Sequence, residues 1–262
     1  RGALVLPGGR FAGGLGERIK AEVITINGLL YARDRFLQRL PQVRSIHETT
    51  SAELRVRSTA SHAEALRLHS AAAALLPRLY AGLGVAPERR LQIVVLHERK
   101  TYDAYLDIVG LSSHRAADGF ADRIAGTAVV CSEGITEDYV LGLALHELTH
   151  LAQLCASPAA FPSWYMEGSA EANGGEGTFT WDGTTLVTGG TMSRARLDEL
   201  REHPIALEEL LGGDALTFLA SDRTAARCFY AQSWAFLRFL EQGAGPETAE
   251  RLERWRSMCL GS

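Results

Sequence analysis

His146-Glu147-Leu148-Thr149-His150 follows directly on the apolar run Val140-Leu141-Gly142-Leu143-Ala144-Leu145, and the reading of these residues decides the rest of the chain. Leu141, Leu145, Leu148 and Ala152 recur every three to four residues, so the spacing predicts a helix with that face buried. Thr136 is placed to cap it, and the helix is predicted to run to about Cys155. His146 and His150 stand four residues apart, share a face, and can point both imidazoles at one metal ion. Glu147 lies about 100° further round the axis, where it can reach a water on the metal without ligating the metal itself. Two histidines on an exposed helix are the plain alternative for this pentapeptide taken alone.

It does not stand alone. Sixteen residues separate His150 from Glu167, within Trp164-Tyr165-Met166-Glu167-Gly168-Ser169-Ala170-Glu171. Hydrolytic zinc sites take three protein ligands and leave the fourth position to water. Glu167 opens a second helix, predicted from Ser163 as its cap through about Asn173, which can turn back antiparallel to the first. Glu171, one turn on, is placed to accept a hydrogen bond from the distal nitrogen of a ligand histidine. A solvated carboxylate face is the alternative for this pair.

Taken together, the motifs resemble those of the gluzincin metallopeptidases, the group of thermolysin and the alanyl aminopeptidases, and in particular its peptidase-MA-like members. The resemblance implies a zincin-like catalytic domain, one Zn2+ ion held by His146, His150 and Glu167, and Glu147 as general base. Tyr230-Ala231-Gln232-Ser233-Trp234-Ala235 is similar to the aminopeptidase helix whose tyrosine stabilises the oxyanion, and Tyr230 follows Glu167 by 63 residues, a similar distance. A buried aromatic on a core helix is the alternative for Tyr230. Two features depart from the family. The interval between His150 and Glu167 is slightly shorter, which implies a tighter interhelical loop with the ligand retained. The strand that holds an amine-binding acid in aminopeptidases corresponds to Gly126-Thr127-Ala128-Val129-Val130, which has no acid. Gly126, Thr127 and Ala128 are instead candidates for backbone pairing with an extended peptide, a structural strand being the alternative. The activity so implied is peptide-bond hydrolysis, by an endopeptidase or a dedicated processing enzyme. The competing reading is a binding or scaffold module in which zinc staples two helices; keeping Glu147 argues against it.

Outward from the motif, the fold class is α+β, a small mixed sheet lobe (50–135) followed by a mainly helical lobe (136–262). A lead-in and a helix over 21–40 fill residues 1–49. Strands are expected at Ala52–Arg57, Leu91–His97 and Thr127–Cys131, and helices at His62–Gly82 and Tyr102–Ile108. Phe179–Val187 folds about Asp182-Gly183 as a hairpin, and helices near 194–202, 224–242 and 246–258 complete the chain. Gly174-Gly175 and this hairpin are expected to form a mobile rim over the cleft. The glycines at 8–9 and 13–14 lack the Gly-Lys-Ser/Thr ending of a phosphate loop.

Charge is divided unevenly. Residues 1–130 carry 18 Lys+Arg against 12 Asp+Glu, and residues 131–262 carry 9 against 19. No Lys or Arg lies between Arg123 and Arg194. A cation-free acidic span suits a bound divalent cation, argues against nucleic acid, and favours neutral or basic peptide substrates. The same asymmetry also suits two halves that complement each other. No apolar run is long enough to span a membrane, so a soluble chain is expected, with an extracytoplasmic setting favoured over a cytoplasmic one. The four cysteines form no C-x-x-C pair and are expected as free thiols, with disulfides the alternative. The six other histidines are expected on the surface or at caps. Because the sequence starts at Arg1, it fits a mature form or one domain of a longer protein whose other parts choose the substrate.

Overall fold

The computed structural model describes residues 23–26, 29–32, 37, 40, 43–86, 89–156 and 161–260. The glycine-rich lead-in lies outside them. Val23–Ile26 (β1) and Leu29–Ala32 (β2) pair antiparallel, Val23 opposite Ala32 and Ile26 opposite Leu29. This corrects the helix expected over 21–40. Val23-Ile24-Thr25-Ile26 is β-branched throughout, which favours extended backbone, and Asn27-Gly28 is the dipeptide preferred between hairpin strands.

The main sheet begins at His47–Thr50 (β3), three residues before the lobe boundary expected at 50, and continues with Leu54–Ser58 (β4). Helix α1 (His62–Leu83) follows, opened by Ser61, whose side chain accepts from the Glu64 amide, and closed by Gly84 in the left-handed region. Then come β5 (Leu91–Leu96), α2 (Arg99–Val109), a 3-10 turn at Ser112–Ala116, β6 (Gly119–Asp122) and β7 (Thr127–Cys131). The sheet order is β3-β4-β5-β7-β6. β4, β5 and β7 run parallel in the middle, and β3 and β6 are antiparallel edges. Parallel neighbours need crossovers, and α1 and α2 are placed to supply them.

The sheet is covered on both faces. Leu54, Val56, Ile93, Val95, Ala128 and Val130 pack against α1 and the long helix α3 (Glu137–Ala156), and Val94, Leu96, Val129 and Phe120 pack against Tyr102, Tyr105 and Leu106 of α2. Each such aliphatic side chain, fully buried, contributes about 1.5–3 kcal/mol. Helix α3 thus has one face committed to the sheet, with Leu141, Leu145, Leu148 and Ala152 buried as the spacing predicted. The Tyr139 amide donates to Thr136 Oγ1 at 3.3 Å, so Thr136 caps α3 as expected.

Helical elements dominate after α3, which establishes the α+β class with the sheet first. Helix α4 (Ser163–Gly174) starts after Pro162, whose carbonyl accepts from the Tyr165 amide at 3.0 Å. Ser163 is therefore inside the helix and does not cap it; its hydroxyl accepts from the Ala215 amide at 3.0 Å. The hairpin β8 (Phe179–Trp181) and β9 (Leu186–Thr188) turns on Asp182, whose carboxylate accepts from the Thr184 and Thr185 amides. Helices α5 (Arg194–Glu202), α6 (Leu207–Gly212), α7 (Ala215–Ser221), α8 (Arg223–Arg238) and α9 (Pro246–Leu260) follow. The short α6 and α7 carry too few turns to show a period in sequence. Phe161, Trp164, Tyr165, Phe229, Leu237 and Leu252 form this lobe's own core. None of the four cysteines is in a disulfide. Among the described residues no helix is long and apolar enough to cross a membrane.

Candidate metal centre

Helix α4 lies antiparallel to α3 and to α8 at very short range, because glycine stands where the backbones meet. A methyl group on Gly142 of α3 would lie 2.6 Å from the Gly174 carbonyl oxygen, and one on Gly168 would lie 2.6 Å from that of Ser233 in α8. No side chain fits in either gap. Gly174, expected as part of a mobile rim, is thereby a packing point. With α4 pressed close on both sides, Glu167 on its first turns faces the α3 residues His146 and His150.

The three side chains converge. The two imidazole Nε2 atoms lie 3.0 Å apart, and Glu167 Oε2 lies 3.2 Å from that of His146 and 3.3 Å from that of His150. Among the described residues these are the ones placed as a group that could hold a metal ion. Glu167 Oε2 is buried without a hydrogen-bond partner in good geometry, as is His150 Nδ1. Burial of such an acceptor is costly unless something satisfies it. His146 Nδ1 points at Glu171 Oε1 across 3.6 Å, beyond hydrogen-bond length.

Charge in the cluster is strongly coupled. Burial works against the imidazolium of His146, but the Glu167 carboxylate, with Glu147 and Glu171, outweighs it and lifts the group to about 9. Burial likewise opposes ionisation of Glu167, and the two histidines reverse that, holding it down at about 2. The pocket therefore attracts positive charge. Glu147 is the exception: burial raises its carboxyl above the ordinary range, and the histidines only partly offset this. Tyr230, on α8, has its ring 6.1 Å from that of His146, and burial followed by the three glutamates makes its hydroxyl hard to ionise. The hydroxyl stays a proton donor.

A cavity of about 1010 Å³ opens over the cluster, with His146, Glu147, His150, Glu167, Glu171 and Tyr230 in its wall. Asp118, Gly119, Phe120 and Ala121 also line it, the last three from β6 at the outer edge of the sheet. Gly119 faces Glu147 so closely that a Cβ there would lie 2.9 Å from Glu147 Oε1.

Sequence reasoning put Gly126, Thr127 and Ala128 in that place, and the sheet order corrects it. Thr127 and Ala128 are bonded on one side to Gln92 and Ile93 and on the other to Asp122 and Ala121, and Gly126 O accepts from the Gln92 amide. An interior strand has no free backbone to offer a ligand. The edge is β6, which has no apolar-polar alternation and little β-branching in Gly119-Phe120-Ala121-Asp122; the glycine beside an acid was its one faint sequence signal. His114, expected on the surface or at a cap, lies at the cavity, its ring 5.6 Å from Phe120. Arg196, Arg223 and Arg227 also line the cavity and were missed, for they lie outside the cation-free span and have no motif.

No known family model matches this chain, and no curated protein sequence matches it.

Proposed function

We propose that this protein is a zinc-dependent hydrolase of peptide bonds, with His146, His150 and Glu167 as the metal ligands. One observation carries the reading. A tetrahedral ion with bonds of about 2.0 Å needs donor atoms about 3.3 Å apart, and the three donors stand 3.0, 3.2 and 3.3 Å apart with no other partner for Glu167 Oε2. A divalent ion there supplies Lewis-acid chemistry, polarising a carbonyl oxygen and acidifying water.

The chain's own residues supply the remainder. Glu147, buried beside the ligands and raised in pKa, takes a proton from the attacking water and hands it to the leaving amine. The Tyr230 hydroxyl donates to the oxygen on which negative charge develops. Glu171 orients His146 through Nδ1. The β6 edge, which lines the same cavity, holds an extended peptide through backbone hydrogen bonds. The scaffold reading is disfavoured by the donor count, which is three among the described residues, where structural zinc sites close with four.

The deciding experiment compares zinc-loaded wild type with Glu147→Gln on a diverse peptide library by mass spectrometry. Glu147→Gln should keep its metal and lose about 10³-fold in kcat, the middle of the general-base range. Equal turnover in the two proteins removes Glu147 from the mechanism. No cleavage by either, with zinc bound, favours the scaffold.

A further inference from the structure

Helix α8 brings more than Tyr230 to the cavity. Arg223, its first residue, stands seven positions earlier, two turns away on the same face and about 10 Å along the axis. It lines the cavity, and its side chain is 72% exposed. Its nearest carboxylate among the described residues, Asp118, is 3.9 Å away and already accepts from the closer guanidinium of Arg99.

The charges around Arg223 are engaged elsewhere. Arg227 donates to both oxygens of Glu199 at 3.0 Å, and buried Arg196 reaches the same carboxylate at 3.3 Å. Asp138 accepts from Arg67 at 2.5 Å. Asp222 caps α8, its Oδ2 accepting from the Ala225 amide at 3.1 Å. Glu176 lies within electrostatic reach of Arg227. Among the lining cations, Arg223 has the least committed donors, and a guanidinium in that state suits a carboxylate in two-point contact.

The sequence alone favoured neutral or basic substrates, because the span from 124 to 193 is acidic. In the fold, Asp138 of that span, which lines the cavity, is matched by Arg67 from the other half of the chain. The end of the cavity near the start of α4 carries Leu154, Phe161 and Leu216, beside Ser163 and Asp214.

We propose that Arg223 selects substrates by binding a carboxylate at one fixed position relative to the bond that is cut. Leu154, Phe161 and Leu216 offer a place for a hydrophobic residue of the same substrate. The carboxylate is an Asp or Glu side chain or the substrate's own C-terminus. This inference rests on the peptidase reading of the site.

The test uses fluorescein-labelled, alanine-rich peptides holding one leucine, with a single Asp moved through every position, each with a free and an amidated C-terminus. Two quantities are read: kcat/KM with the zinc-loaded protein, and equilibrium binding to the zinc-loaded Glu147→Gln variant by fluorescence anisotropy. An Asp at one position, or the free C-terminus at one spacing, should raise both about tenfold. Loss of the advantage on amidation identifies the C-terminus as the source, and its persistence identifies the side chain. Arg223→Ala should bring acidic and neutral peptides to the same value, and Arg223→Glu should move the preference to Lys, which only a folded site can do. Equal values for Asp and Ala peptides at every position, or an acid preference that survives Arg223→Ala, overturns the proposal. Acid-dependent binding without any cleavage breaks the peptidase reading and leaves Arg223 in place.

Discussion

The two walls of the cavity are built on different principles. The helical wall, from α3, α4 and α8, presents side chains whose chemistry matters atom by atom: two imidazoles, three carboxylates and a phenol. The sheet wall presents β6, whose contribution is a backbone edge and the absence of a side chain at Gly119. One wall needs particular residues and the other needs a particular position in a sheet. The comparison teaches that a site can be half written in residue identity and half in topology.

Substitutions should separate the two walls. The largest effect belongs to the helical wall: Glu167→Ala should weaken zinc binding by at least about 100-fold, since even groups that only support a ligand cost 10–100-fold. Competition with a chromophoric chelator measures it, and unchanged affinity and stoichiometry would take α4 out of the site. Tyr230→Phe should come next, lowering kcat about 100-fold while metal affinity holds. A collapse of the thermal melt in that variant would instead make Tyr230 a core aromatic. The smallest effect tests the sheet wall. Gly119→Ala should lower kcat roughly tenfold by displacing the Glu147 carboxylate, with zinc content and Tm close to wild type. Wild-type kcat in that protein would mean that Glu147 gives way freely, and the contrast between the walls would shrink.

The same division explains what was legible in the sequence. Helix α3 was readable because cap, apolar face and histidine spacing all follow one period, and Glu167 because an acid at the head of a second helix has to be somewhere near. The strand facing them was misplaced. Thr127–Cys131 looks more like a strand than Gly119–Asp122 does, and it is one, but its very regularity belongs to an interior strand. Which strand lies outermost depends on pairing order, a property of the whole sheet that no local pattern encodes. The helix expected over 21–40 failed for another reason: the β-branched run Val23–Ile26 pairs as a strand with Leu29–Ala32. The charge count left its own alternatives open, for a count along the chain does not say which acids meet arginines from elsewhere, as Glu137 and Asp138 meet Arg67.

The glycine contacts of α4 bear on how the molecule tolerates change. Because Gly142 against Gly174 and Gly168 against Ser233 set where α4 lies, those two contacts also hold Glu167 against the imidazoles. A single added methyl at either contact therefore disturbs the site from a distance, without touching a ligand.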